Sequence, residues 1–155
     1  MRPADARDVP LLRAMLYEAC AWRGDPRFPP LEEALKLPDV ARYVDGWGRA
    51  GDFGVIAEGD VGAAWIRLFT DDDHGYGFVA AEVPELSIGV SLEARGRGVG
   101  TALLAELLAR AEAAGHRSIS LSVETDNPAV RLYERCGFVC VGYVGTSWTI
   151  QRILD

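Results

Sequence analysis

The 155-residue sequence predicts an α/β fold: one mixed β-sheet flanked by helices, with a central parallel strand pair joined by a crossover helix. Three observations predict it. Apolar, β-branched runs at residues 86–92 and 118–123 bracket a stretch in which Leu104, Leu107, Leu108 and Ala111 recur at helical spacing. A strand, a helix and a strand in that order make the two strands parallel. Upstream, residues 53–58 and 61–69 read as two strands around Gly59-Asp60, a two-residue hairpin signal, and residues 138–143 and 147–153 close the chain as another hairpin. The chain carries no repeat, low-complexity tract or linker and is short for two domains, so residues 1–155 are read as a single domain.

Taken in order, Asp8 is placed to cap a helix whose apolar face runs through Leu11, Leu12, Met15, Leu16 and Ala19. Residues 1–4 leave little room for a first strand. Gly24-Asp25-Pro26 and Phe28-Pro29-Pro30 break the chain, and a second helical region, residues 31–37 and then 39–47, is interrupted at Pro38. Trp22, Phe28 and Trp47 in this part have two readings, packing onto the sheet or lining a pocket. After the first strand pair, Asp71-Asp72-Asp73-His74-Gly75-Tyr76-Gly77 forms a polar loop; consecutive carboxylates diverge, so a solvated loop is expected and no metal. Glu82 and Glu85 lead into the next strand. Further on, Asn127-Pro128 opens a short helix through Ala129, Leu132, Tyr133 and Cys136, which stops at Gly137.

Composition excludes several classes. Apolar residues make up 49% and charged residues 25%, the balance of an ordinary soluble domain. The net charge of −7 argues against a nucleic-acid partner, which needs a basic face. No apolar run reaches the length of a membrane span and the first residues lack a signal-peptide core, so no membrane partner and a cytoplasmic location are expected. Cys20, Cys136 and Cys140, odd in number and without CxxC spacing, fit reduced thiols better than disulfides or zinc.

The chemistry concentrates in Arg95-Gly96-Arg97-Gly98-Val99-Gly100-Thr101. A glycine-rich turn from a strand into a helix points several backbone N–H groups one way, at the positive end of the helix dipole. Gly98 and Gly100 carry no Cβ to hold a phosphate away, and Arg95 and Arg97 add positive charge. The stretch reads as a pyrophosphate cradle. It is not a nucleotide P-loop, because no Lys-Ser or Lys-Thr pair follows Gly100; nor is it a dinucleotide fingerprint, whose third glycine would stand where Thr101 does.

The order Arg-x-x-Gly-x-Gly resembles the motif of the GCN5-related N-acetyltransferase (GNAT) family. The segment Asn127-Pro128-Ala129-Val130-Arg131-Leu132-Tyr133-Glu134-Arg135-Cys136-Gly137-Phe138 looks like that family's second motif, with the alanine two places after the asparagine. The resemblance covers nearly the whole chain and is strongest over residues 85–138; the short start departs from the family's fuller first strand. It implies a GNAT-like fold, acetyl-coenzyme A as co-substrate, no metal, and transfer of an acetyl group to a primary amine, a small-molecule acceptor being favoured over a peptide N-terminus. It also makes a second copy of the chain a candidate partner, with the C-terminal hairpin and Trp148 as a surface. A non-catalytic acyl-CoA-binding module is the alternative.

Acetyl transfer to an amine needs the amine neutral, and an alkylammonium loses its proton at about pH 10.4, so a general base is useful. Glu85, ten residues ahead of Arg95, matches where the family's base often stands; Glu82 or a water chain are the alternatives. The leaving thiolate, conjugate acid about 8.5, departs more readily when protonated, and Tyr133 matches the family's usual acid. The resemblance gives backbone N–H groups around Ile88, Gly89 and Val90 the pantetheine arm and the thioester carbonyl, with Asn127 on the same arm. Cys136 lacks an evident adjacent base, since neither His74 nor His116 is marked as one, which favours direct transfer in a ternary complex. The acceptor-recognising residues are expected in residues 15–47 and in the loop of residues 69–83.

Overall fold

The structure is a computed structural model, and it describes residues 1–154. Among those residues, seven strands form one sheet in the order β1-β2-β3-β4-β5-β7-β6. They are β1 (Arg2–Pro3), β2 (Phe53–Ile56), β3 (Gly62–Arg67), β4 (Glu85–Val90), β5 (Ser118–Glu124), β6 (Val139–Val144) and β7 (Ser147–Ile153). The helices are α1 (Val9–Cys20), α2 (Leu31–Ala34), α3 (Pro38–Ala41), α4 (Val99–Ala113) and α5 (Val130–Arg135). The mixed sheet is mostly antiparallel, and its parallel pair is β4 with β5, joined by α4 as the sequence predicts. The chain separates into two compact units: Met1–Ile66 with Ser87–Leu107, and Arg67–Leu86 with the chain from Leu108 onward.

In the first unit, β1 pairs with β2 (Arg2↔Ile56) and β2 with β3 (Val55↔Ala64), both antiparallel. Leu12, Met15 and Leu16 of α1 are buried with Leu35, Val44, Ile56, Ala63 and Trp65. Trp65 is fully buried, and its indole N–H is satisfied by the carbonyl of Tyr43 at 2.9 Å. The first strand is present but only two residues long. Asp8 does not cap α1. Its carboxylate accepts two bonds from the Arg2 guanidinium (2.7 and 2.9 Å) and one from the Asp5 N–H, while Asp5 caps the 3₁₀ turn Ala6–Asp8 that precedes the helix. A guanidinium within reach outcompetes the backbone for a carboxylate. The helical region expected over residues 31–47 is reduced to α2 and α3, four residues each, because Pro38 starts a new helix rather than continuing the old one. The two-residue turn expected at Gly59-Asp60 is a longer connection with a 3₁₀ turn over Glu58–Asp60, closed by the Ala57 N–H on the carbonyl of Gly62.

In the second unit, β5 pairs with β7 along its length (Ser118↔Ile153 to Glu124↔Ser147), and β6 pairs with β7 as the closing hairpin. Ile119, Leu121, Val123, Tyr133, Phe138 and Ile150 are buried. The short helix α5 begins at Val130 rather than at Asn127-Pro128. Asn127 builds the turn ahead of it, its Oδ1 accepting the Ala129 N–H at 2.9 Å.

Candidate active site

The predicted cofactor stretch lies in the first unit and is built from the end of β4 into α4. Past Val90 the chain makes a 3₁₀ turn at Leu92–Ala94, extends at Arg95 and enters α4 at Val99. Gly96 and Gly98 have φ of +74° and +82°, and a Cβ at either would meet nothing within 4 Å. Their glycines therefore answer to backbone conformation, which L side chains adopt at a cost, and not to crowding. The first bond within α4 at this end runs from the Ala102 N–H to the Gly98 carbonyl. The N–H groups of Val99, Gly100 and Thr101 thus have no acceptor inside the helix and point along its axis at the turn. Residues 95–98 are exposed. An exposed turn at a helix N-terminus has the polarity that favours an anion.

The two arginines of the stretch are held differently. Arg97 is exposed. Arg95 donates from Nε to the Val90 carbonyl at 3.0 Å and from Nη2 to Glu18 Oε2 at 2.8 Å, which ties the C-terminal turn of α1 to the end of β4. A second contact lies one turn earlier in α1. A Cβ on Gly89 would sit 2.0 Å from the Met15 carbonyl oxygen, so α1 rests main chain against main chain on β4. Of Ile88, Gly89 and Val90, Gly89 is buried and its neighbours are half-buried. β4 is laddered to β5 at Glu85↔Ser120, and Ile88 to Val90 follow further along the strand. Glu18 carries no motif signal and escapes sequence reasoning; its contact with Arg95 spans 77 residues of chain.

The predicted proton-transfer residues lie in the second unit. Glu85 is 2% exposed at the head of β4. Both carboxylate oxygens accept backbone N–H groups of the preceding loop: Oε2 from Gly75 at 3.0 Å and Oε1 from Gly77 at 2.8 Å. Ser120 Oγ donates to the Gly77 carbonyl at 2.7 Å, and the Thr149 hydroxyl lies 3.5 Å from the Tyr76 carbonyl. His74 stacks on Phe78 with ring centroids 4.4 Å apart. Glu82 is exposed. Tyr133 is buried on α5 with its ring edge against Phe138 at 5.8 Å, and burial pushes its phenol well above the ordinary tyrosine range. A phenol so placed is a neutral O–H donor at pH 7. Asn127 spends its Oδ1 on the turn before α5. Cys136 is half-buried and Cys140 exposed, while burial pushes the Cys20 thiol up to about 11. Among the described residues no three His, Cys, Asp or Glu side chains are grouped to hold a metal ion, and no helix is long and apolar enough to cross a membrane.

Comparison with known proteins points one way. The acetyltransferase (GNAT) family profile matches residues 16–138. Mycothiol acetyltransferase of Geodermatophilus obscurus is 37% identical over 114 residues, which cover 72% of this chain and 36% of that protein. The chain thus spans about a third of the length of that curated relative. The crystal structure of ribosomal-protein-alanine N-acetyltransferase from Brucella melitensis superposes with a TM-score of 0.68 at 25% identity, covering 99% of this chain and 98% of the other. A GNAT phosphinothricin acetyltransferase from Sinorhizobium meliloti, solved in complex with AcCoA, has the same fold, with a TM-score of 0.64 at 24% identity over 99% and 87% of the two chains.

Proposed function

The chain belongs to the acetyltransferase (GNAT) family, and we propose that it transfers the acetyl group of acetyl-CoA directly to a primary amine of a small molecule. The observation that carries the reading is the turn at Gly96 and Gly98, which opens α4 with three N–H groups that have no acceptor within the helix and an exposed Arg97 ahead of them. Gly96 to Thr101 take the pyrophosphate of the coenzyme, and backbone groups of Ile88, Gly89 and Val90 take the pantetheine arm and the thioester carbonyl. Asn127 enters this reading through its side-chain Nδ2, since its backbone N–H, its carbonyl and its Oδ1 are engaged with Glu124, Val130 and Ala129. The AcCoA complex of the Sinorhizobium meliloti relative supports the same co-substrate.

In the proposed reaction the neutral amine nitrogen attacks the thioester carbon, the oxygen takes up negative charge, and the carbon–sulfur bond breaks as the carbonyl re-forms. The proton shed by nitrogen goes to a base, and the departing sulfur takes a proton from Tyr133. Burial keeps the Tyr133 phenol protonated at pH 7, as a donor must be, and the same burial makes it a weaker acid toward the thiolate. Glu85 is the sequence's candidate base, with Glu82 or water as alternatives. The two amides already on the Glu85 carboxylate favour a water carrying the proton out.

That same engagement of Glu85 is what favours the second reading, an acyl-CoA-binding module without turnover. One experiment separates them: calorimetric titration with CoA, together with release of free thiol from acetyl-CoA across a panel of primary amines. Binding with thiol release supports the enzyme, binding alone the module. Absence of CoA binding removes both, and binding unchanged in a Gly96→Val/Gly98→Val variant removes the turn as the pyrophosphate site. A cytoplasmic location and a homodimer belong to the same proposal. The dimer is supported by the outermost strand β6, which exposes Val139, Val141, Tyr143 and Val144, and light scattering at micromolar protein tests it.

A further inference from the structure

We infer that Glu85 is a positioning residue that sets the conformation of the loop of residues 69–83, and that it shapes acceptor binding through that loop instead of taking a proton from the amine. The inference rests on the acetyltransferase reading for what the loop recognises, and on geometry within one compact unit for how the loop is held.

The loop has few means of its own for holding one shape. It contains no helix or strand beyond an isolated bridge between Thr70 and Asp73, and it runs through two glycines. Gly75 and Gly77 stand either side of Tyr76, with a turn at Tyr76-Gly77, and both N–H groups reach one carboxylate. Buried without acceptors, each would cost more than an ordinary hydrogen bond returns. Glu85 supplies one oxygen to each, at 3.0 and 2.8 Å, in the forked arrangement that a carboxylate offers and a hydroxyl cannot. Two further contacts fix the same residues. Ser120 Oγ holds the Gly77 carbonyl at 2.7 Å. The main chain of Gly77 lies so near β5 that a Cβ would stand 2.6 Å from the Leu121 carbonyl carbon and 2.7 Å from the Ser122 nitrogen. The result is a clamp of carboxylate, hydroxyl and close approach on Gly75 and Gly77, with the Tyr76 side chain between them half exposed. A carboxylate 2% exposed, with an amide on each oxygen, is built to hold a loop.

Glu85→Gln tests this. The amide keeps one acceptor and turns an NH₂ toward the other backbone N–H, leaving that donor unpaired. In the 155-residue chain without substrate, amide hydrogen exchange at residues 75–78 is expected to quicken about tenfold or more, with β5 and α1 unchanged. In turnover with acetyl-CoA and the fastest amine of the panel, the KM for amine is expected to rise about tenfold, while kcat keeps the acid limb of its pH profile and CoA affinity stays at the parental value. Ser120→Ala removes the second clamp without touching the carboxylate and is expected to move loop exchange and amine KM in the same direction by a smaller factor; it carries the test alone if Glu85→Gln does not fold. Loss of the acid limb with loop exchange unchanged would identify Glu85 as the base and overturn the inference. So would quickened exchange throughout the protein, or a Ser120→Ala protein with parental exchange and KM. Loop exchange is read without coenzyme or amine, so its failure is distinct from a failure of CoA binding, which would strike the acetyltransferase reading instead.

Discussion

Replacing Gly89 by alanine puts a methyl group where the structure has the Met15 carbonyl oxygen, 2.0 Å from the ideal Cβ position. Neither side can turn aside, since one is a strand backbone and the other a helix backbone in mid-turn. To restore ordinary contact of 3.4 Å, α1 must back away by about 1.4 Å at that point. Glu18 lies one turn along the same helix, 2.8 Å from Arg95, and a shift of that size takes the pair out of hydrogen-bond reach. Overpacking of this kind costs about 3 kcal/mol, which for a chain of this size lowers the melting temperature by about 9 °C. Thermal melting by circular dichroism reads the effect. Gly142→Ala in β6 is the matched control, because its Cβ would first meet Thr149 Cβ at 4.0 Å, and it is expected to melt within about 2 °C of the parent. Gly89→Ala melting as high as the control would refute the main-chain contact, and with it the account of how α1 is seated on β4.

Two other predictions follow from single side chains. Tyr133→Phe keeps the ring that packs on Phe138 and deletes only the hydroxyl, so kcat is expected to fall about 100-fold with CoA affinity unchanged; steady-state kinetics with unchanged turnover would remove the acid assignment. Asp8→Asn is expected to cost about 1 kcal/mol at pH 7, the half-exposed Arg2 keeping the figure small. The Arg2 guanidinium holds the Asp8 carboxyl below its ordinary value, so the stabilisation is full above the unfolded pKa of about 3.9 and is lost as pH falls through the folded value. Urea unfolding of parent and variant should therefore differ at pH 7 and converge as the pH drops below about 4; a gap constant over that range would exclude the ion pair as its source.

What the sequence made legible was what local chemistry decides. The β-branched run of β4, the helical period of α4 and the glycines between them follow from backbone preference within a few residues, and the structure has all three in that order. The span of residues 31–47 misled for the complementary reason: apolar spacing favoured helix throughout, while Pro38 begins a second helix and Gly46, at a φ of +66°, leaves the helical region, and two helices of four residues form. Asp8 misled because its partner, Arg2, is brought alongside only when β1 pairs with β2, and an aspartate six residues from an arginine looks no different in sequence from a helix cap.

The arginines of the cradle show where such reading reaches its limit. Arg95 and Arg97 are alike in charge and stand two residues apart in the same glycine-rich stretch. The fold separates them. Arg95 is drawn onto Glu18 and the Val90 carbonyl, where it fastens a helix, and Arg97 remains exposed beside the open N–H groups of α4. Glu85 follows the same logic: a carboxylate at a motif position whose oxygens are claimed by a loop eight and ten residues upstream. A motif records which residue types a site contains. What each of them holds in the folded chain is set by the nearest donor or acceptor, and the partners here, Glu18 for Arg95 and the Gly75 and Gly77 amides for Glu85, lie on segments that carry no motif at all.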